Sequence, residues 1–286
     1  MFFVPHMQTM TVLLRHIIDH LNTAAPFNLA ESWDNVGLLV GSTESPVTSI
    51  LIGLDATNSL LDEAIQLGAD TIVTHLPVIF KPLARIDTAD PLGRLLQKAL
   101  AHNIAIIACH TNLDNAIDGV SDILGRALGL TQLSPLLPSP NATGSATGLG
   151  RIGRFTTPVT PGQFLHTALQ ALGLTSIQVA GPLPTSIQTV AVCGGSGSDL
   201  AALALSRGAD LYLSAEIKHS TARWAEENDF CIIDGTHYGT EHAAVQLLAN
   251  MLQAMCASQH WQIAVAQTKT EKPPFVSITH ENCANM

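Results

Sequence analysis

An internal repeat limits what this chain can become. Ile50-Leu51-Ile52 returns as Val190-Ala191-Val192. The same offset of 140 carries Leu60 onto Leu200, Ala64 onto Ala204 and Gly68-Ala69-Asp70 onto Gly208-Ala209-Asp210, with no gap. A buried strand, a helix, a glycine at the helix end and a second strand therefore occur twice in register. With a shorter connection the offset becomes 127, and His110 then lands on His237 and Asp114 on Glu241. Duplication of one unit accounts for both coincidences better than chance recurrence of a tripeptide.

The rest of the chain agrees with that reading. Apolar residues at 13, 14, 17, 18 and 21 predict an amphipathic helix over Thr11 to Ala24, ended by Pro26. Strands are expected at Ile50 to Leu54, Thr71 to Thr74 and Ile104 to Ala108, with helices at Asn58 to Leu67 and Pro91 to His102. A further helix runs on to Leu128. Later come a strand at Ile152 to Phe155, a helix at Pro161 to Leu172 and a strand at Ile177 to Ala180. Such alternation predicts an α/β fold: two pseudo-symmetric α/β units with mixed sheets flanked by helices. The Pro-, Ser-, Thr- and Gly-rich stretch 134–150 is the expected linker, between a first unit over 1–133 and a second over 151–286.

Composition excludes several classes of function. A net charge of −10 argues against nucleic acid as a partner, because phosphate binding needs clustered Lys and Arg. The longest apolar runs are strand-sized, too short to span a membrane, and no basic segment precedes them as in a signal peptide. Five cysteines without a Cys-x-x-Cys pair fit a reducing cytoplasm. Apolar residues at 47% against 13% charged suggest surface covered by other subunits. Twelve histidines against thirteen Lys plus Arg hint at metal.

The chemistry-bearing residues sit where strands end. His110 and Asp114 follow the apolar run 104–108, and His237 and Glu241 follow Cys231-Ile232-Ile233-Asp234. A spacing of four puts both members of a pair on one face if the segment is helical. Imidazole and carboxylate without thiolate suit zinc, iron, manganese or nickel. The plain alternative is that each His caps a strand end. His75 ends the third strand, where α/β proteins commonly bind ligands, although a lone His there is also a common structural residue. Asp34 and Asn35 either orient a ligand or form an Asx-turn, with the turn preferred. Asp55 and Asn58 start the following helix. Gly194-Gly195-Ser196-Gly197 lacks the Lys of a phosphate-binding loop and reads as a tight turn. Cys109 and Cys231 read as core; His219 faces either the cleft or solvent. The histidines at 6, 16, 20, 102, 166, 242, 260 and 280 read as solvent or packing residues.

These motifs, taken together, resemble a known family. Glu31-Ser32-Trp33-Asp34-Asn35-Val36-Gly37-Leu38, Thr74-His75-Leu76-Pro77, His110-Thr111-Asn112-Leu113-Asp114, Gly194-Gly195-Ser196-Gly197 and His237-Tyr238-Gly239-Thr240-Glu241 are similar, in that order, to the motifs of the NIF-three-like family, also called GTP cyclohydrolase 1 type 2. The resemblance implies up to two divalent ions per subunit, with His75, His110, Asp114, His237 and Glu241 as ligands and Glu241 shared. It also implies a homohexameric ring and a metal-dependent hydrolase acting on a nucleotide- or pterin-like small molecule. The competing class is a non-catalytic metal carrier or regulatory scaffold. One departure stands out: the family usually has a second histidine where this chain has Leu76, which cannot coordinate a metal, so the second ion is in question.

Overall fold

Ile50, Leu51, Ile52, Val73, Ile106 and Ile107 are each at most 1% exposed, so the runs that contain them are covered on both faces. Strands of that kind are central and parallel, which is why they lack polar–apolar alternation. The computed structural model describes residues 11–140, 146–276 and 278. His6, His280, Cys283 and part of the expected linker lie outside those residues.

The elements in chain order are α1 (Leu14–Ala24), β1 (Gly37–Val40), β2 (Ser49–Gly53), α2 (Asn58–Leu67), β3 (Thr71–Thr74), α3 (Pro91–Ala101), β4 (Ala105–Ala108) and α4 (Thr111–Asn115). They continue with α5 (Val120–Ala127), β5 (Thr131–Pro138), β6 (Gly148–Val159), α6 (Pro161–Leu172), β7 (Gln178–Ala180), β8 (Ile187–Ser196) and α7 (Ala201–Ser206). The remainder are β9 (Leu211–Ala215), α8 (His219–Glu227), β10 (Cys231–Asp234), α9 (His237–Glu241), α10 (Ala243–Ser258) and β11 (Ala264–Gln267). Helices α2 and α6 match their expected bounds. Thr57, rather than Asp55 or Asn58, caps α2 by accepting from the Leu60 N–H at 3.1 Å. No helix among the described residues is long and apolar enough to cross a membrane.

Two compact units result, but their boundary differs from the one expected. The first takes the described residues up to Leu113 together with Val245–Lys269; the second takes Asp114–Ala244 and the described residues from Thr270. The stretch read as a linker supplies the end of β5 and the start of β6 in the second unit, where Leu137 pairs with Leu149. The chain returns to the first unit because β11 adds to the edge of β2, with Val265 opposite Ile50. Neither pairing leaves a local mark in the sequence.

The first unit's sheet has the order β1-β4-β3-β2-β11 and the second unit's β5-β6-β8-β9-β10-β7. In each, three successive strands run parallel, β2-β3-β4 or β8-β9-β10, and an antiparallel strand lies beyond the third. Individual hydrogen bonds obey the same offset. Asp70 Oδ2 accepts from the N–H groups of Thr48 and Ser49 at 2.7 and 3.2 Å. Asp210 Oδ2 accepts from those of Gln188 and Thr189 at 2.8 and 2.7 Å. Gly68 and Gly208 each take a positive φ, 68° and 76°, at the end of the preceding helix. The Gly-Ala-Asp tripeptide is thus a helix stop followed by a carboxylate that ties down the start of the neighbouring strand.

Packing follows the strand period of two. Val190, Val192, Leu211, Leu213 and Ile233 pack with Phe164, Ala168 and Leu172 of α6 and Leu124 of α5. Ala191, Cys193, Tyr212 and Ile232 point the other way, onto Ala201 and Ala204 of α7 and Ala225 of α8. In the first unit, Leu51, Ile72 and Ile106 pack against Leu60, Leu61 and Ala64 of α2 and Leu95, Leu96 and Ala99 of α3.

Candidate metal centre

β3 and β4 are parallel neighbours with Thr74 opposite Ala108, so the residues just past their ends emerge side by side. His75 follows β3 directly, and the Cys109 N–H, bonded to the Thr74 carbonyl at 2.9 Å, extends the register by one residue before His110. α4 starts at once, with Leu113 N–H bonded to the His110 carbonyl at 2.8 Å, and this first turn carries Asp114 round to the same face. His75, His110 and Asp114 are all buried, and one ligand atom from each lies within 4.8 Å of the others. The His75 and His110 rings sit 5.3 Å apart, nearly edge to face.

Each imidazole is held through Nδ1. His75 Nδ1 lies 2.7 Å from the Cys109 carbonyl oxygen, which only accepts, so the proton sits on Nδ1. His110 Nδ1 lies 2.9 Å from Asp34 Oδ1. An oxygen acceptor on Nδ1 is how proteins fix the tautomer that presents the Nε2 lone pair to a cation. Asp34 is therefore more than the Asx-turn preferred from sequence. Its side chain is shielded from solvent and also accepts from the Thr111 N–H at 3.0 Å, the Thr111 hydroxyl and the Asn35 N–H at 2.7 Å. Burial alone would raise its pKa, but the His110 and Thr111 hydrogen bonds, the His110 charge and the Asn35 N–H outweigh it and hold the group at about 2.

His237 and Glu241 form their own pair in the second unit. β10 ends at Asp234, and Thr236, at φ 60°, accepts from the Gly239 N–H to start α9. His237 Nε2 then lies 2.8 Å from Glu241 Oε2, and its Nδ1 lies 2.8 Å from Glu216 Oε1. The Glu241 hydrogen bond raises the His237 pKa; burial opposes it, Glu216 adds to it, and the result is about 9. Asp114, Glu241 and Cys193 belong to this same unit. Burial first, and then the charges of Asp114 and Glu241, push the Cys193 thiol far above its ordinary range.

Three of the five expected ligands, His75, His110 and Asp114, thus share one cluster, while His237 and Glu241 stand as an i,i+4 pair. The donors fit a divalent cation: two imidazoles with fixed tautomers and one carboxylate match an N/O-binding metal. Leu76 offers no ligand. Its N–H bonds the Leu54 carbonyl, and the residue lines a mixed hollow with Asp55, Asn58, Val78 and Leu95.

Other assignments change. Gly194 to Ser196 complete β8 rather than form a turn, and a Cβ on Gly195 would stand 2.0 Å from Glu241 Oε1 and 3.3 Å from His237 Nε2. The glycine is there for close approach. His219 is exposed at the start of α8, on the helix surface. Cys109 and Cys231 are core residues whose thiols burial pushes up to about 12 and about 11. Sequence reasoning missed Glu216, although the offset of 140 places it on Leu76.

Comparison with known proteins gives a consistent result. The model of a family described as Duf34/NIF3 (NGG1p interacting factor 3) matches residues 12–274. A "GTP cyclohydrolase 1 type 2 homolog" of Streptomyces coelicolor is 34% identical over 267 residues, covering 92% of this chain and 94% of the relative. A protein of the same description from Clostridium perfringens is 33% identical over 262 residues, covering 92% and 98%. The crystal structure of a Bacillus cereus protein related to NIF3 superposes with a TM-score of 0.87 at 25% identity, covering 94% of this chain and all of that one.

Proposed function

Since the chain belongs to the Duf34/NIF3 family, we propose that it is a divalent-metal-binding protein whose His75, His110 and Asp114 hold one cation, with His237 and Glu241 contributing to a second. The observation that carries this is the treatment of His75 and His110: each Nδ1 faces a carbonyl or carboxylate oxygen, directing Nε2 as a ligand atom beside Asp114. Zinc, iron, manganese or nickel suit these donors.

When bound, such ions supply Lewis acidity, drawing charge from a substrate oxygen and lowering the pKa of water. The chain's own groups set the stage for that chemistry. Asp34 orients His110, and Glu216 orients His237 through its Nδ1. The burial of His75, His110, Asp114 and Glu241 keeps bulk water from the ligand atoms. The description of the relatives as GTP cyclohydrolase 1 type 2 homologs supports extending this proposal to a metal-dependent hydrolase of a nucleotide-like small molecule, with a cytoplasmic homohexamer as the matching expectation. Leu76 favours a second reading, a non-catalytic metal-binding scaffold, because an apolar side chain stands where a further ligand would strengthen one ion.

Elemental analysis of freshly purified protein tests the metal assignment. Wild type should carry about one ion or more per chain, and Asp114→Ala should lose most of it. Leu76→His should raise the content. Metal-free wild type would sink the proposal. Turnover of a nucleotide panel that is lost in Glu241→Ala separates the hydrolase from the scaffold.

A further inference from the structure

Trp33 is 58% exposed and Phe80 44% exposed, in a chain with only three tryptophans. Large aromatics are costly to leave in water, and when two cluster at a candidate site they commonly face a ligand. These two touch each other edge to face, with ring centroids 5.7 Å apart. Each also lies 6.2 Å from the ring of His110, again tilted towards an edge-on arrangement. Both residues are therefore partly exposed beside a candidate metal ligand.

Their position is built. Trp33 precedes Asp34, which holds His110 and Thr111, so the backbone that carries the indole is anchored to the candidate ligand. The Glu31 N–H bonds the Thr111 hydroxyl at 2.9 Å, which pins the other end of the same turn. Asn35 Nδ2 donates to the Ile79 carbonyl at 2.6 Å, which ties this turn to the segment bearing Phe80. Two loops from distant parts of the first unit are thus locked together with their rings outward.

We infer that Trp33 and Phe80 form the wall of a ring-binding subsite, so that the molecule taken at this centre carries a planar heteroaromatic group. The quadrupole of an indole or phenyl face favours an electron-poor planar ring, stacked or edge-on, and each base–aromatic contact strengthens binding by about 5- to 100-fold. The inference rests on the metal reading only for the location of the reacting group, since ring binding needs no cation.

The test compares GMP with ribose 5-phosphate, which shares the sugar and phosphate but lacks the ring. Binding is followed by calorimetry in wild type and in Trp33→Phe, Trp33→Leu and Phe80→Leu. Wild type should prefer GMP by about 10-fold or more. Trp33→Phe should keep most of that preference, and Trp33→Leu and Phe80→Leu should each lose it, with unchanged metal content and melting temperature. Equal binding of the two probes to wild type, or a preference that survives in both leucine variants, overturns the inference. So does a change of oligomeric state in Trp33→Leu with GMP binding intact, which would make the aromatic pair a subunit contact. Metal content, measured on the same samples, reports independently on the metal assignment.

Discussion

Replacing Arg151 by methionine keeps the length of the side chain and removes a charge that is 1% exposed. The guanidinium donates to the Gly148, Gly150 and Ala116 carbonyls at 2.6, 2.8 and 2.7 Å and pairs with Asp122 at 2.7 Å. It thereby clamps the segment just after α4 to β6 and to α5, all within the second unit. Methionine would leave three carbonyls without that donor and the Asp122 carboxylate without its counter-charge. Breaking a buried pair from one side costs about 3–5 kcal/mol, against about 1 kcal/mol for an ordinary hydrogen bond. The stranded carboxylate is therefore the dominant effect. At roughly 2–4 °C per kcal/mol for a chain of this size class, the midpoint should fall by about 6–20 °C. Thermal and urea unfolding of Arg151→Met measure it. The decisive variant is Arg151→Met with Asp122→Leu, where no buried charge remains. Adding Asp122→Leu to Arg151→Met should then cost at least about 1 kcal/mol less than in wild type. A melting temperature for Arg151→Met within about 2 °C of wild type, or strictly additive variants, would refute the argument.

Three further outcomes are expected. The pKa of His237 is raised in the folded protein to about 9, so without metal the charged form contributes stability that is complete below about 6.5 and is lost as pH rises through about 9. Metal uptake at this pair should accordingly strengthen with pH and release a proton, read by calorimetry in buffers of different ionisation enthalpy; uptake independent of pH between 6 and 9 contradicts it. Gly195→Ala should displace the Glu241 carboxylate, since the new Cβ would lie 2.0 Å from Oε1 at a φ of 62°. Besides about 1–2 kcal/mol of backbone strain, it should lower metal content, and an unchanged metal-to-chain ratio would show that the close approach is immaterial. Asp34→Ala should weaken metal affinity by about 10- to 100-fold, by freeing His110 to rotate. A competition titration with a chelator reports it, and wild-type affinity would mean that Asp34 only shapes the turn.

What could be read from the sequence was local or periodic. His110 with Asp114, and His237 with Glu241, are four apart after apolar strands, so one helical turn sets their relation whatever the rest of the chain does. The offset of 140 survives in the structure as matched hydrogen bonds from Asp70 and Asp210, because a glycine-stopped helix and its carboxylate lie within one contiguous stretch. Other relations depend on residues far apart in the chain that only the packed fold brings together. Asp34 meets His110 across 76 positions, and Arg151 meets Ala116 across 35. The edge of β2 is completed by β11 from the far end of the chain, and the two ends of a stretch that reads as linker by composition, 134–138 and 148–150, lie in antiparallel strands. Strand addition satisfies backbone groups that any residue carries, so it leaves no side-chain signature. The sequence by itself determined the candidate ligands and the order of the elements. The tertiary structure decided which oxygens hold the imidazoles, and where two exposed aromatic rings stand beside them.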